Sequence, residues 1–169
     1  YALKFNGTAG LGSNTQHANM SNTGNLTSNL TIEAWFKVYD NGNTKPIVLR
    51  GNATLSGAQY GLSVDSSERL SLSLLGTSTQ PTTSIVSTGV WHHAAAVYLP
   101  STRMEVYLDG VLAASSTTSI PASILNPIGD TNLYIGWQAN DDGFNGTIDE
   151  VRILNRSLSA AEVLADYRK

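Results

Sequence analysis

The chain of 169 residues contains no cysteine, which excludes a disulfide framework and any thiolate metal site. Charge is scarce as well. Asp, Glu, Lys and Arg make up 14% of the residues, where about a quarter is usual. Ten Lys and Arg against 13 Asp and Glu leave a formal charge of −3, so there is no electrostatic footprint for nucleic acid. No apolar run approaches the ~18 residues of a membrane span. The three histidines, His17, His92 and His93, form no H-x-x-x-H or H-x-H pair of the kind zinc uses. Neither a G-x-S-x-G nucleophile elbow nor a phosphate-binding loop occurs. There is no internal repeat, charge block or Pro-rich linker.

Uncharged polar residues fill the space that charge leaves: 19 Ser, 17 Thr and 14 Asn, beside 15 Gly. That mixture suits many strands joined by many turns. The run LTIEAWFKV, residues 30–38, alternates for nine residues. It sets Leu30, Ile32, Ala34, Phe36 and Val38 on one face. Strands are also expected over 1–5, 46–50, 60–64, 70–75, 92–99, 103–108, 132–137 and 147–154, with a weak one inside 77–88. Leu70, Leu72 and Leu74 alternate with Ser71 and Ser73, as in a half-buried strand. Asp109-Gly110, flanked by alternating apolar residues, is a strong hairpin signal. Runs at 8–15-residue spacing indicate an all-β sandwich. Only one helix is expected: Ser159 caps 160–167, and Glu162 three residues on completes a capping box. Val163, Leu164 and Tyr167 form its apolar stripe. The inward set includes Val97, Val106, Leu108, Leu133, Ile135, Ile148 and Val151. Tyr98 and Tyr107 fall opposite Ala95, Val97 and Val106, Leu108, which points them at an outer, concave face.

Four segments carry a family likeness: ALKFNG (2–7), LTIEAWFK (30–37), GVWHHAAAVY with MEVYLDG (89–98, 104–110), and LYIG…FNGTIDEVRILNRSLSAAEV (133–163). Together they resemble the laminin-G-like, concanavalin A-like domains of large extracellular proteins. The resemblance spans the whole chain and implies an all-β, two-sheet antiparallel jelly-roll sandwich with one short C-terminal helix, a single domain over 1–169. It does not fix a function, because this fold hosts lectins, glycan hydrolases and adhesion modules. With Tyr1 rather than Met at its start, the sequence reads as a domain cut from a longer secreted or cell-surface protein.

Retaining glycosidases of this fold carry E-x-D-x-E, which sets two carboxylates on one sheet face about 5–5.5 Å apart. That pattern is missing, and adjacent Asp149 and Glu150 are expected on opposite faces of a strand. The expectation is therefore no enzyme. Calcium needs six to eight oxygens. The resemblance offers Asp149, in the closing G-x-I-D-E-V strand, with Asn6 of the opening F-N-G; the alternative is the loop at Asp141 and Asp142. Sugars stack on aromatic rings and pair with amides and carboxylates. Trp137, next to Gln138, Asn140, Asp141 and Asp142, is one candidate platform, and Tyr39 and Tyr107 are further candidates. The likeness assigns Trp35 and Trp91 to the framework, along with His92 and His93. The expected function is non-catalytic binding of a glycan or polysaccharide. The competing reading is an adhesion or spacer module that contacts protein partners.

Overall fold

The computed structural model describes residues 2–7, 18–21, 23–39, 42–51, 57–75, 77, 81–126, 129, 131–137 and 143–169. Among them run twelve strands and one helix: β1 (Leu3–Asn6), β2 (Ala18–Met20), β3 (Leu30–Val38), β4 (Lys45–Gly51), β5 (Ala58–Val64), β6 (Arg69–Leu74), β7 (Thr82–Ile85), β8 (His92–Leu99), β9 (Arg103–Leu108), β10 (Val111–Ser116), β11 (Leu133–Ile135), β12 (Asn145–Leu154) and α1 (Ala160–Tyr167). Two six-stranded sheets, in orders β1-β12-β3-β8-β9-β10 and β2-β11-β4-β5-β6-β7, pack face to face as a jelly-roll sandwich. Every pairing is antiparallel.

The alternation in β3 builds the core as expected. Leu30, Ile32, Ala34, Phe36 and Val38 lie between the sheets with Leu62, Leu72, Val106, Leu133, Ile135 and Ile148. Fully burying a side chain such as Phe36 contributes about 1.5–3 kcal/mol. Strand β8 departs from the expected phase. Ala94, Ala96 and Tyr98 face the core, while Ala95 and Val97 face outward into a second apolar cluster with Tyr107, Leu158 and Val163. A strand buried on both faces carries no polar alternation, so its phase is invisible in sequence. The Tyr98 hydroxyl donates to the Pro121 carbonyl at 2.7 Å. Burial raises its pKa.

That second cluster exists because α1 docks on the outer face of the first sheet. The capping box forms: Glu162 N donates to Ser159 Oγ at 3.3 Å, and Ser159 N donates to Glu162 Oε2 at 2.8 Å. The Ser159 N–H and hydroxyl, with Arg156, hold the Glu162 carboxyl down at about 2. The 109–110 turn has positive φ at both residues, 53° and 76°, as a type I′ hairpin requires. A Cβ on Gly110 would sit 2.9 Å from Leu164 Cδ1, so the helix rests directly on this turn.

One end of the sandwich is closed by a buried polar network. Arg50 Nε donates to Thr23 O at 2.7 Å and its Nη1 to Gln59 Oε1 at 2.6 Å. Gln59 Nε2 reaches Asn25 at 2.9 Å and Asn126 at 3.0 Å. A buried guanidinium is tolerated when its donors are satisfied in this way.

Candidate functional site

The outer face of the first sheet divides into a covered end and an open end. The register defines both. Strand β3 sends Glu33, Trp35 and Lys37 outward, opposite its core set, with Tyr39 just beyond its end. In β12, Asp149 pairs with Trp35, Thr147 with Lys37, and Arg152 with Glu33. In β1, Lys4 pairs with Thr147 and Asn6 with Asn145. Phe36 pairs with His92 across β3 and β8, which brings Trp91 alongside Lys37.

At the covered end Glu33 is only 1% exposed. Arg152 Nη2 bridges Glu33 Oε2 and Asp166 Oδ2 of α1, both at 2.7 Å. His93 Nε2 stands 3.8 Å from Glu33 Oε1. Burial pushes the Glu33 carboxyl up against the opposing pull of Arg152, and burial pushes His93 down, with Arg152 acting in the same direction. The Tyr167 ring stacks on Trp35 with centroids 5.7 Å apart. His92 is held at the sandwich wall: Nδ1 donates to Asp109 Oδ2 at 2.8 Å, and Ser87 Oγ meets Nε2 at 2.8 Å. Both histidines are framework residues.

At the open end a platform of rings and polar groups remains. Trp91 is 42% exposed and Tyr39 44%. The Lys37 ammonium lies 5.8 Å from the Trp91 ring centroid and 6.0 Å from that of Tyr39. Beside it a shallow pocket of about 400 Å³ is lined by Trp35, Trp91, Asp149, Glu150 and Lys169. Glu150 reaches this pocket, contrary to the expectation that it points away from Asp149. The reason is a β-bulge between Asp149 and Arg152, with Glu150 at φ 47°, which breaks the two-residue alternation. Glu150 N donates to Asp149 Oδ1 at 2.9 Å.

The expected binding residues do not converge. Tyr39 stands on the platform. Tyr107 lies under α1, its hydroxyl donating to Glu105 Oε2 at 3.0 Å. Burial, with Glu105 beside it, pushes that phenol up to about 12. Trp137 sits on the other side of the sandwich. Gly136, at φ 77°, turns the chain at the end of β11, so Trp137 packs on Tyr134, centroids 4.8 Å apart, in an outer cluster with Leu49 and Ala58. Gln138, Asn140, Asp141 and Asp142 lie outside the described residues.

Asn6 and Asp149 do not fit a shared calcium ion. Asn6 faces Asn145, four residues along β12 from Asp149, which is about 13 Å of extended strand. Among the described residues no three His, Asp or Glu side chains group as a metal site would need. The sequence reading missed Lys4, Lys37, Thr147, Trp35 and Trp91 as surface residues of one face. The alternation that puts Phe36 and Ile148 inward already placed Lys37 and Thr147 outward.

Two antiparallel sheets packed face to face, with one short helix on an outer face, define a jelly-roll all-β module. The chain belongs to the Concanavalin A-like lectin/glucanases superfamily, whose laminin-G model matches residues 11–164. Among solved structures it is similar to the heptameric SAP-like pentraxin of Limulus polyphemus, with TM-score 0.70 and 20% identity over 95% of this chain and 78% of that one. It is also similar to the Ruminococcus gnavus IT-sialidase CBM40 bound to alpha2,3 sialyllactose, with TM-score 0.70 and 17% identity over 84% of each chain. For Trypanosoma rangeli sialidase the TM-score is 0.60 and the identity 17%, over 83% of this chain and 22% of that one. No curated protein sequence matches.

Proposed function

We propose that this domain is a non-catalytic carbohydrate-binding module of a secreted or cell-surface protein, and that the open platform is its sugar site. The observation that carries this reading is the set of solvent-facing rings, Trp91 and Tyr39, on a sheet face rimmed by hydrogen-bonding side chains. Sugar rings present C–H faces to aromatic π-clouds, and their hydroxyls donate to carboxylates such as Asp149 and accept from Lys37 and Thr147. The platform is held from behind. Trp35 is braced by Tyr167 and His93, centroids 5.7 and 5.3 Å away, so little side-chain freedom remains to be lost on binding.

The non-catalytic part rests on the openness of the face. Paired carboxylates hydrolyse glycosides in clefts that exclude water and fix the leaving group, whereas Asp149 and Glu150 border a shallow depression. Membership of a lectin-rich family and the similar sialyllactose-bound module support a glycan ligand over a protein one. The test is a glycan array probed with wild type and Trp91→Ala. Wild-type binding that falls at least tenfold in the variant, with an unchanged Tm, supports the reading. A blank array, with retention instead on a protein matrix, favours the adhesion or spacer module. Release of reducing ends, lost on Asp149→Ala, overturns the non-catalytic reading.

A further inference from the structure

Resting on that glycan-binding reading, we propose that the ligand is an anionic saccharide, whose carboxylate or sulfate is held by the row Lys4–Thr147–Lys37. The three residues are in register across β1, β12 and β3 and alternate with the buried Phe5, Ile148 and Phe36, so all face outward together. Two strand spacings put the lysine backbones about 10 Å apart, with the Thr147 hydroxyl between them.

The ion pairs of the molecule single this row out. The chain has ten Lys and Arg. Lys45 pairs with Glu68, Arg69 with Asp65, Arg103 with Glu105, Arg152 with Glu33 and Asp166, Arg156 with Glu162, and Lys169 with Asp166. Arg50 is bonded to Thr23 and Gln59. Lys4, Lys37 and Arg168 remain without an ion pair among the described residues, and two of these three share one row. Lys37 is further fixed between the Tyr39 and Trp91 rings. Those rings position the ammonium without neutralising it.

The charges on the platform also orient the ligand. Asp149 and Glu150 lie toward the helix and the lysines lie away from it. At the Trp35 end two carboxylates face one ammonium, that of Lys169, which is already paired with Asp166, so this end disfavours an anionic group and takes hydroxyl donors, while the Tyr39 end attracts the anion. Repulsion at one end and attraction at the other select both charge and direction.

The experiment uses an array of matched pairs. Uronate oligosaccharides from pectin, alginate and hyaluronan are each printed beside their carboxyl-reduced forms, and sulfated galactans beside their desulfated forms. Wild type, Lys37→Gln, Lys4→Gln/Lys37→Gln and Trp91→Ala are compared. Wild type should bind at least one acidic member about tenfold more tightly than its neutral partner, as a charge-assisted hydrogen bond allows. The double lysine variant should lose that preference at an unchanged Tm, and added salt should weaken the acidic member only. The carboxylate and sulfate arms identify which anion is read. Equal binding of both members of every pair, or a preference that survives the double variant, overturns the anionic ligand and leaves glycan binding standing. No binding of any probe by wild type overturns the anionic ligand, and a blank on the general glycan array as well overturns glycan binding.

Discussion

Strand β3 carries Glu33 and Lys37 outward on the same sheet face, four residues apart, in opposite circumstances. Glu33 is sealed under α1 and shares Arg152 with Asp166. Lys37 lies beside the half-open Tyr39 and Trp91 rings and has no ion pair among the described residues. Burying a charge is costly unless it is paired, so the helix can cover only the part of the face where acid and base balance. The rest of the face stays open and its charges stay available to a ligand. One docking event thus separates a covered half of the face from an open half, the half proposed above as the sugar site.

The largest expected effect lies beneath both halves. Phe36→Ala should cost about 3–5 kcal/mol, because a large ring leaves a cavity that the surrounding strands cannot fill; denaturant unfolding measures it. A silent Phe36→Ala would shift the register by one residue and exchange inner and outer rows, which would dissolve the comparison altogether.

Next comes the covered end. Arg152→Ala leaves the Glu33 carboxylate buried and unpaired. It should cost about 3 kcal/mol, the low side of the range for a broken buried pair, because the Arg152 side chain is 41% exposed. Adding Glu33→Gln should restore part of that loss. If Arg152→Ala changes stability no more than a surface substitution does, the two ends do not differ in the way described. Ser159→Ala should cost about 0.5–2 kcal/mol through the lost cap, and hydrogen exchange in α1 should rise with it.

The smallest effect is a pH dependence. His93 is held below its ordinary 6.5, so below that value the unfolded chain takes up the proton more readily than the folded one. Its contribution is therefore fully present above 6.5 and is lost as the pH falls from there toward the lowered folded value. Glu33 is shifted the other way, above 4.5, so its contribution to stability decreases as the pH rises through the window just above 4.5. His93→Gln should remove the first slope and leave the second, as read from Tm against pH. Retention of the decline just below 6.5 in this variant would place the responsible group elsewhere.

Much of the covered end was legible in the sequence. The alternation of 30–38 defined the inward row, the Ser159–Glu162 spacing defined the cap, and Asp109-Gly110 defined the hairpin against which the helix rests. The open end was less legible, for physical reasons. Matching Trp35 and Trp91 to family motifs assigned them to the framework, and a motif does not reveal which half of a face a helix will cover. Tyr107 was expected on an open face because nothing local says that Leu158 and Val163 return to cover it. Adjacent Asp149 and Glu150 obey strand parity only if no bulge intervenes, and the bulge is a property of the pairing with β3. Trp137 was separated from Tyr39 by the thickness of the sandwich, a distance that depends on which sheet each strand joins.

The most direct test of the open end as the recognition surface is a backbone and side-chain NMR titration with a glycan retained on the array. The account predicts that the largest shift changes fall on Lys4, Lys37, Tyr39, Trp91 and Thr147, with Tyr134 and Trp137 unmoved. Changes centred on Tyr134 and Trp137, with the platform silent, would contradict it.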